Sequence, residues 1–135
     1  MTIKKLPQSE LKIMKFIWKS DSKVTSRDIV LGMEQKYQWK QTTTLTLLSR
    51  LVVKRFLNSQ KIDKYTHYEV LIKEKEYIGV ETRDFFRNIH DSSIKSLLLS
   101  LHENINLSKD DILLIEEWIK NLKKRRKTYK QTYFL

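Results

Sequence analysis

Residues 39–56 read WKQTTTLTLLSRLVVKRF, one helix with two unlike faces, and that difference decides what the rest of the chain builds. Thr44, Leu47, Leu48 and Leu51 fall at i, i+3, i+4 and i+7, the spacing of a stripe turned toward a core. Thr42, Thr43, Thr46, Ser49 and Arg50 lie away from it, a face of short hydroxyls ending in a guanidinium. Such side chains offer donor, acceptor and methyl contacts without holding the backbone off, so the face can approach a DNA groove. The plainer alternative is a solvated helix face, and the flanking segments have to decide between them.

Upstream, Ser9 is placed to cap a helix from Glu10 to about Lys19, with Leu11, Met14, Ile17 and Trp18 inward and Lys12, Lys15 and Lys19 outward. SDSK at 20–23 is a polar turn. Thr25 then caps a second helix, with Asp28 three residues on in a short-armed capping box, and Ile29, Val30 and Met33 as its apolar positions. Three short amphipathic helices joined by tight turns have the order of a helix-turn-helix unit. Downstream the period changes to two. Residues 57–62 and 65–71 are strand-like, turning at Asp63 and Lys64, and a basic hairpin after a helix-turn-helix is a wing. Lys61 and Lys64 near its tip are positioned for phosphates, contacts that orient a protein on DNA without reading sequence.

The helical period returns from Lys73. Tyr77, Phe85 and Phe86 belong to a helix reaching about His90; SIKSLLLSLHE at 93–103 is a short, very apolar helix containing Ile94, Leu97, Leu98 and Leu101. Ser108 caps a last helix carrying Ile112, Ile115, Trp118 and Ile119, with Asp110 and Asp111 in the first turn, where the dipole favours anions. These segments are too few for an ordinary separate core, so their apolar faces are expected to meet a second copy of the chain. The expected fold is therefore mainly α: a winged helix-turn-helix of three helices and a two-stranded wing (1–72), a helical dimerisation region (73–122) and a basic tail (123–135).

Charge supports a polyanionic partner. Of the net +11, residues 1–82 carry 16 basic and 9 acidic groups, 83–120 carry 5 and 7, and 121–135 carry 6 and none. A basic surface of this size attracts nucleic acid. Two glycines and one proline in 135 residues favour long helices over elaborate loops, and the absence of cysteine excludes disulfides and thiolate metal sites. No apolar run approaches the ~18–20 residues that span a bilayer, and the first ten residues lack a signal-like apolar region, so the expectation is a cytoplasmic protein not inserted in a membrane. His67, His90 and His102 are scattered, and no phosphate loop or nucleophile–base order stands out. No enzyme activity, cofactor or metal is expected.

With those features in order, the chain resembles, nearly end to end, the penicillinase-repressor family (BlaI/MecI type) of bacterial winged-helix regulators. The resemblance is carried by Ser9, Glu10, Met14, Ile17 and Trp18, then by Trp39, Thr43, Thr46, Leu47, Arg50, Leu51, Lys54, Phe56 and Leu57. Tyr65 and Tyr68 in the wing and the run from Leu107 to Asp110 complete it. It implies a homodimer that blocks transcription from a two-fold symmetric operator, possessing a third helix in the major groove and a wing on the backbone. It also implies release by proteolysis in the dimerisation region through a membrane sensor-protease pathway, of the kind that governs β-lactam resistance. The implied DNA contacts are Gln41, Thr42, Thr43, Leu45, Thr46, Ser49, Arg50 and Lys54 with Lys61 and Lys64; the implied scissile bond joins Ser100 and Leu101. The chain departs from the family at Gln41, where a proline often opens the helix, and at Thr42 and Leu45, where relatives commonly carry basic residues. Arg55 stands where a turn glycine is usual, and Ser100 and Leu101 where Asn-Phe is typical. A basic segment runs from Lys123 beyond the family's last helix. The rival readings are a winged-helix module for an acidic protein partner and a regulator answering an unrelated signal.

Overall fold

The computed structural model describes residues 2–20 and 23–134, with side-chain surroundings given as far as residue 126. Asp21 and Ser22, in the expected polar turn, lie outside the described residues. The order of elements is α1 (Gln8–Trp18), β1 (Val24–Thr25), α2 (Ser26–Tyr37), α3 (Gln41–Val53), β2 (Leu57–Ile62), β3 (Tyr65–Val70), α4 (Glu74–Asn88), α5 (Ile94–Asn104) and α6 (Lys109–Phe134). By its internal contacts the chain forms two compact units, Met1–Phe85 and Phe86–Leu135.

In the first unit, α1 starts earlier than the Ser9 cap implies. Pro7, with φ −56° and ψ 154°, occupies the N-cap, and its carbonyl accepts from Leu11 N at 3.0 Å. The ring's fixed φ lets the chain enter the helix without a side-chain cap. Ile13, Met14 and Ile17 are buried, whereas Leu11 and Trp18, expected inward, are only half-buried. The capping box of α2 is formed: Thr25 Oγ1 accepts from Asp28 N, and Asp28 Oδ2 accepts from Thr25 N at 3.0 Å. Midway along α2, Gly32 leaves room for the Phe16 ring, which a Cβ there would overlap.

The helix of residues 39–56 is shorter than expected at both ends. Lys40 is its N-cap and Val53 its last residue; Lys54 and Arg55 turn the chain, and Phe56 N donates back to Leu51 O at 3.0 Å. Arg55 adopts φ 63°, the left-handed conformation that ends many helices. The turn drives Phe56 fully into the core, among Ile13, Met14, Ile29, Met33, Leu48, Leu51 and Leu57.

The wing is a hairpin of β2 and β3 in antiparallel register, Leu57 opposite Val70 and Ile62 opposite Tyr65. It is not two-stranded alone. The sheet order is β1-β3-β2, because Val24 and Thr25 pair with Tyr68 and His67. Two residues are too short a run to show a period of two, which hid this strand in the sequence. It roots the wing to the start of α2.

In the second unit α5 is capped by Ser93, whose Oγ accepts from Ser96 N, a cap the sequence reading did not name. Ser108 and Asp111 form another reciprocal cap at the start of α6, each backbone N–H donating to the other's side chain at 3.0 Å. This last helix runs through the basic segment to Phe134, 26 residues in all.

Candidate nucleic-acid interface

The interface is built on α3 because its two faces are treated so differently. Thr44, Leu47, Leu48 and Leu51 are buried, anchoring the helix against α1 and α2. Among the described residues Thr44 Oγ1 is buried with no hydrogen-bond partner, a cost to the core at this position. Gln41, Thr42, Thr43, Thr46, Ser49 and Arg50 are exposed. Ser49 Oγ donates to Leu45 O at 3.1 Å, so its proton is held by the helix and its oxygen is left to accept. Leu45 is half-buried against the core, with part of its surface still outward. Thr46, Ser49, Arg50, Val53 and Lys54 together line a shallow, largely apolar recess on the outer surface, and Val53 is 81% exposed.

Lys54, expected among the DNA contacts, points elsewhere. Its Nζ lies 2.7 Å from Glu10 Oε1, and Glu10 is only 1% exposed. A carboxylate withdrawn from water requires a counter-charge, and breaking such a pair costs more than making it gains. Lys54 thus neutralises Glu10 at the edge of the core, while its partly exposed side chain still borders the recess beside Arg50.

The wing carries Lys61 and Lys64 exposed near its tip, with Asp63 in the left-handed turn position at φ 57°. Sequence reasoning missed the residue that ties the wing to the helices. Arg27, at the start of α2, donates from Nη1 to Tyr65 Oη at 3.0 Å and lies 6.0 Å from the centre of that ring. Nothing marks Arg27 in the sequence except its charge, since its partner is 38 residues away. The adjoining Asp28 carboxyl is held below the usual carboxylate range, chiefly by the hydrogen bond from the Thr25 backbone and then by the Thr25 hydroxyl; burial opposes this slightly, and the charges of Arg27 and His67 assist.

Tyr77 was expected at a dimer interface, and its surroundings correct that. It is 5% exposed, its Oη accepts from Leu6 N at 2.9 Å, and its ring packs on Trp18 and Phe56 at 5.8 and 5.6 Å. It closes the core of the first unit, and burial pushes its phenol upward in pKa. A helix-period position says that a side chain turns inward, not which partner it meets. Phe85 is half-exposed and Phe86 partly buried.

The second unit carries the opposite imbalance. Ile94, Leu98 and Leu101 on α5, and Ile112, Ile115, Trp118 and Ile119 on α6, are between 37% and 60% exposed; Leu97 is half-buried. Among its described residues only His90 is buried, with Nδ1 2.8 Å from Ser96 Oγ. Ser100 and Leu101 lie inside α5, where Asn104 Nδ2 and Ile105 N donate to their carbonyls at 2.8 and 2.9 Å. No helix among the described residues is long and apolar enough to cross a membrane.

Comparison with known proteins bears on this arrangement. The family described as penicillinase repressor matches residues 6–121. The chain is similar to the penicillinase repressor of Bacillus licheniformis, at 30% identity over 128 residues, covering 93% of this chain and 99% of that one. It is also similar to the methicillin resistance regulatory protein MecI of Staphylococcus aureus (strain N315), at 25% identity, covering 79% and 86% respectively. Among solved structures, the DNA-binding domain of the repressor BlaI matches with a TM-score of 0.52 and 31% identity, over 57% of this chain and 93% of that domain.

Proposed function

The chain belongs to the penicillinase repressor family, and from that premise we propose that it is a dimeric, non-enzymatic repressor that occupies a two-fold symmetric DNA operator. The observation that carries this reading is α3, whose apolar side is locked into the core while Gln41, Thr42, Thr43, Thr46, Ser49 and Arg50 stand exposed. Arg50 is suited to a bidentate guanine contact; Thr46, Val53 and the outward part of Leu45 are suited to thymine methyls. Lys61 and Lys64 on the wing supply phosphate contacts. In functional terms residues 1–72 form the DNA-binding part, and 73–122, less Tyr77, the dimerisation region. The exposed apolar side chains of α5 and α6 support a second copy as their partner, which would present two reading helices to two half-sites.

Selection of bound duplexes from a random pool, followed by gel shifts with Arg50→Ala, tests the reading face. The expected loss is about 1–3 kcal/mol, confined to substitutions at one base pair per half-site. Unchanged affinity and unchanged preference would remove α3 from the readout. Relief of repression is assigned to cutting between Ser100 and Leu101 by a sensor-protease pathway of the kind the family resemblance implies. The hydrogen bonds at these two carbonyls mean that α5 must open before the bond can enter a protease.

A further inference from the structure

The family match ends at residue 121, yet α6 continues to Phe134. From Lys120 onward the chain contains seven basic residues, Lys120, Lys123, Lys124, Arg125, Arg126, Lys127 and Lys130, and no carboxylate. A helix dipole is compensated by a cation or two in the last turn, so seven exceed what the dipole needs. The charges are also ordered. Lys120, Lys123 and Lys124 recur at three- and four-residue steps, which places them on one side of the helix, and Lys127 and Lys130 continue the same steps in the sequence. Ile112, Ile115, Ile119 and Leu122 recur at steps of three and four as well, in a stripe that adjoins the lysines, with Lys123 one turn beyond Ile119. Residues 120–126 are all exposed.

We propose that this basic stripe of α6 is a second DNA contact, an arm that binds backbone phosphates without reading sequence. The proposal rests on the DNA-binding reading above. From Lys120 to Lys130 the helix rises about 15 Å, close to the axial rise of roughly four phosphates along one strand of a duplex. Pairing of the apolar stripe with a second copy leaves Lys120 and Lys124, which lie farther round the helix from it, uncovered and brings two such arms to one dimer. Because the arm is covalently joined to a domain already on DNA, its phosphate contacts form at high effective concentration and need little intrinsic affinity. The arm adds hold while α3 retains choice.

The test compares the full chain with the Lys120→Gln/Lys123→Gln/Lys127→Gln variant, in which the apolar stripe is intact, by fluorescence anisotropy across a salt series. Probes are a random-sequence duplex and the duplex recovered by selection. The slope of log affinity against log salt is expected to shallow by about 0.9 for each lysine that reached a phosphate, about 2.7 per protomer for all three. Affinity should fall by the same factor on both duplexes, leaving preference unchanged. An unchanged slope overturns the arm. So does a slope that changes only because sedimentation shows the dimer dissociating, which would instead pair the lysines with Asp110, Asp111, Glu116 and Glu117 of a second copy. Lysine-dependent retention by phosphatidylserine vesicles with an unchanged DNA slope overturns it in favour of a membrane surface. Loss of preference in the unaltered chain with a lysine-dependent slope would remove the operator reading and leave the arm standing.

Discussion

Arg55 holds φ 63° at the end of α3, a conformation that costs an L-residue about 1–2 kcal/mol and glycine almost nothing. The chain accepts that cost because the turn delivers Phe56 into the core. Arg55→Gly is expected to stabilise the first unit by about 0.5–1 kcal/mol after the extra flexibility of glycine in the unfolded chain is counted. Thermal denaturation checks this as a rise of several degrees; a lower melting point would mean that the exposed guanidinium contributes more than the strain costs. The hydroxyls and guanidinium of α3 were legible in the sequence because a period of 3.6 sorts them from the leucines. Lys54 was not, since its role depends on Glu10, 44 residues earlier and on another helix.

Among the elements, the start of α2 shows how much a local signal can carry. Thr25 and Asp28 form their box as the spacing implied, and the tertiary fold adds a strand pairing and the Arg27–Tyr65 contact at the same place. Thr25→Ala should cost about 1 kcal/mol in denaturant unfolding. The depressed Asp28 pKa has a defined direction in pH. A carboxyl with a lower pKa folded than unfolded contributes stability above its unfolded value near ~3.9, and loses it as pH falls through the folded value. Thr25→Ala should therefore narrow the stability gap from the parent below about pH 4; a gap independent of pH would assign the loss to packing instead. For α5, mass spectrometry after exposure to a sensor protease should find any cut at Ser100–Leu101 slowed by Ser93-capped helix and speeded by Ser93→Ala. Equal rates would mean that opening of α5 is not limiting.

For the whole molecule, the two units have opposite relations to water. The first buries Phe56, Leu48, Leu51 and their neighbours completely, whereas the second leaves Trp118 59% and Leu98 57% exposed. Charging the apolar stripe should leave the isolated fold intact but prevent pairing. Ile119→Glu is expected to give monomers by analytical ultracentrifugation and to lower operator affinity about a hundredfold or more, with a smaller loss on random DNA, because the second half-site's effective concentration vanishes. A dimer that persists would locate the interface away from α6.

Periodicity, caps and charge bias act between near neighbours, so the sequence by itself determined the order of helices and wing, the exposed hydroxyl face of α3, and the apolar stripes of α5 and α6. It did not determine which buried group meets which. That Tyr77 closes the first core, that Lys54 answers Glu10, that Val24 and Thr25 add a third strand and that Arg27 clasps Tyr65 all depend on residues distant in the chain. Such pairings exist only once packing has brought the elements together, and there the tertiary structure decided. Residues 39–56 show both: their helix was written locally, and its end at Val53 was set by where Phe56 had to go.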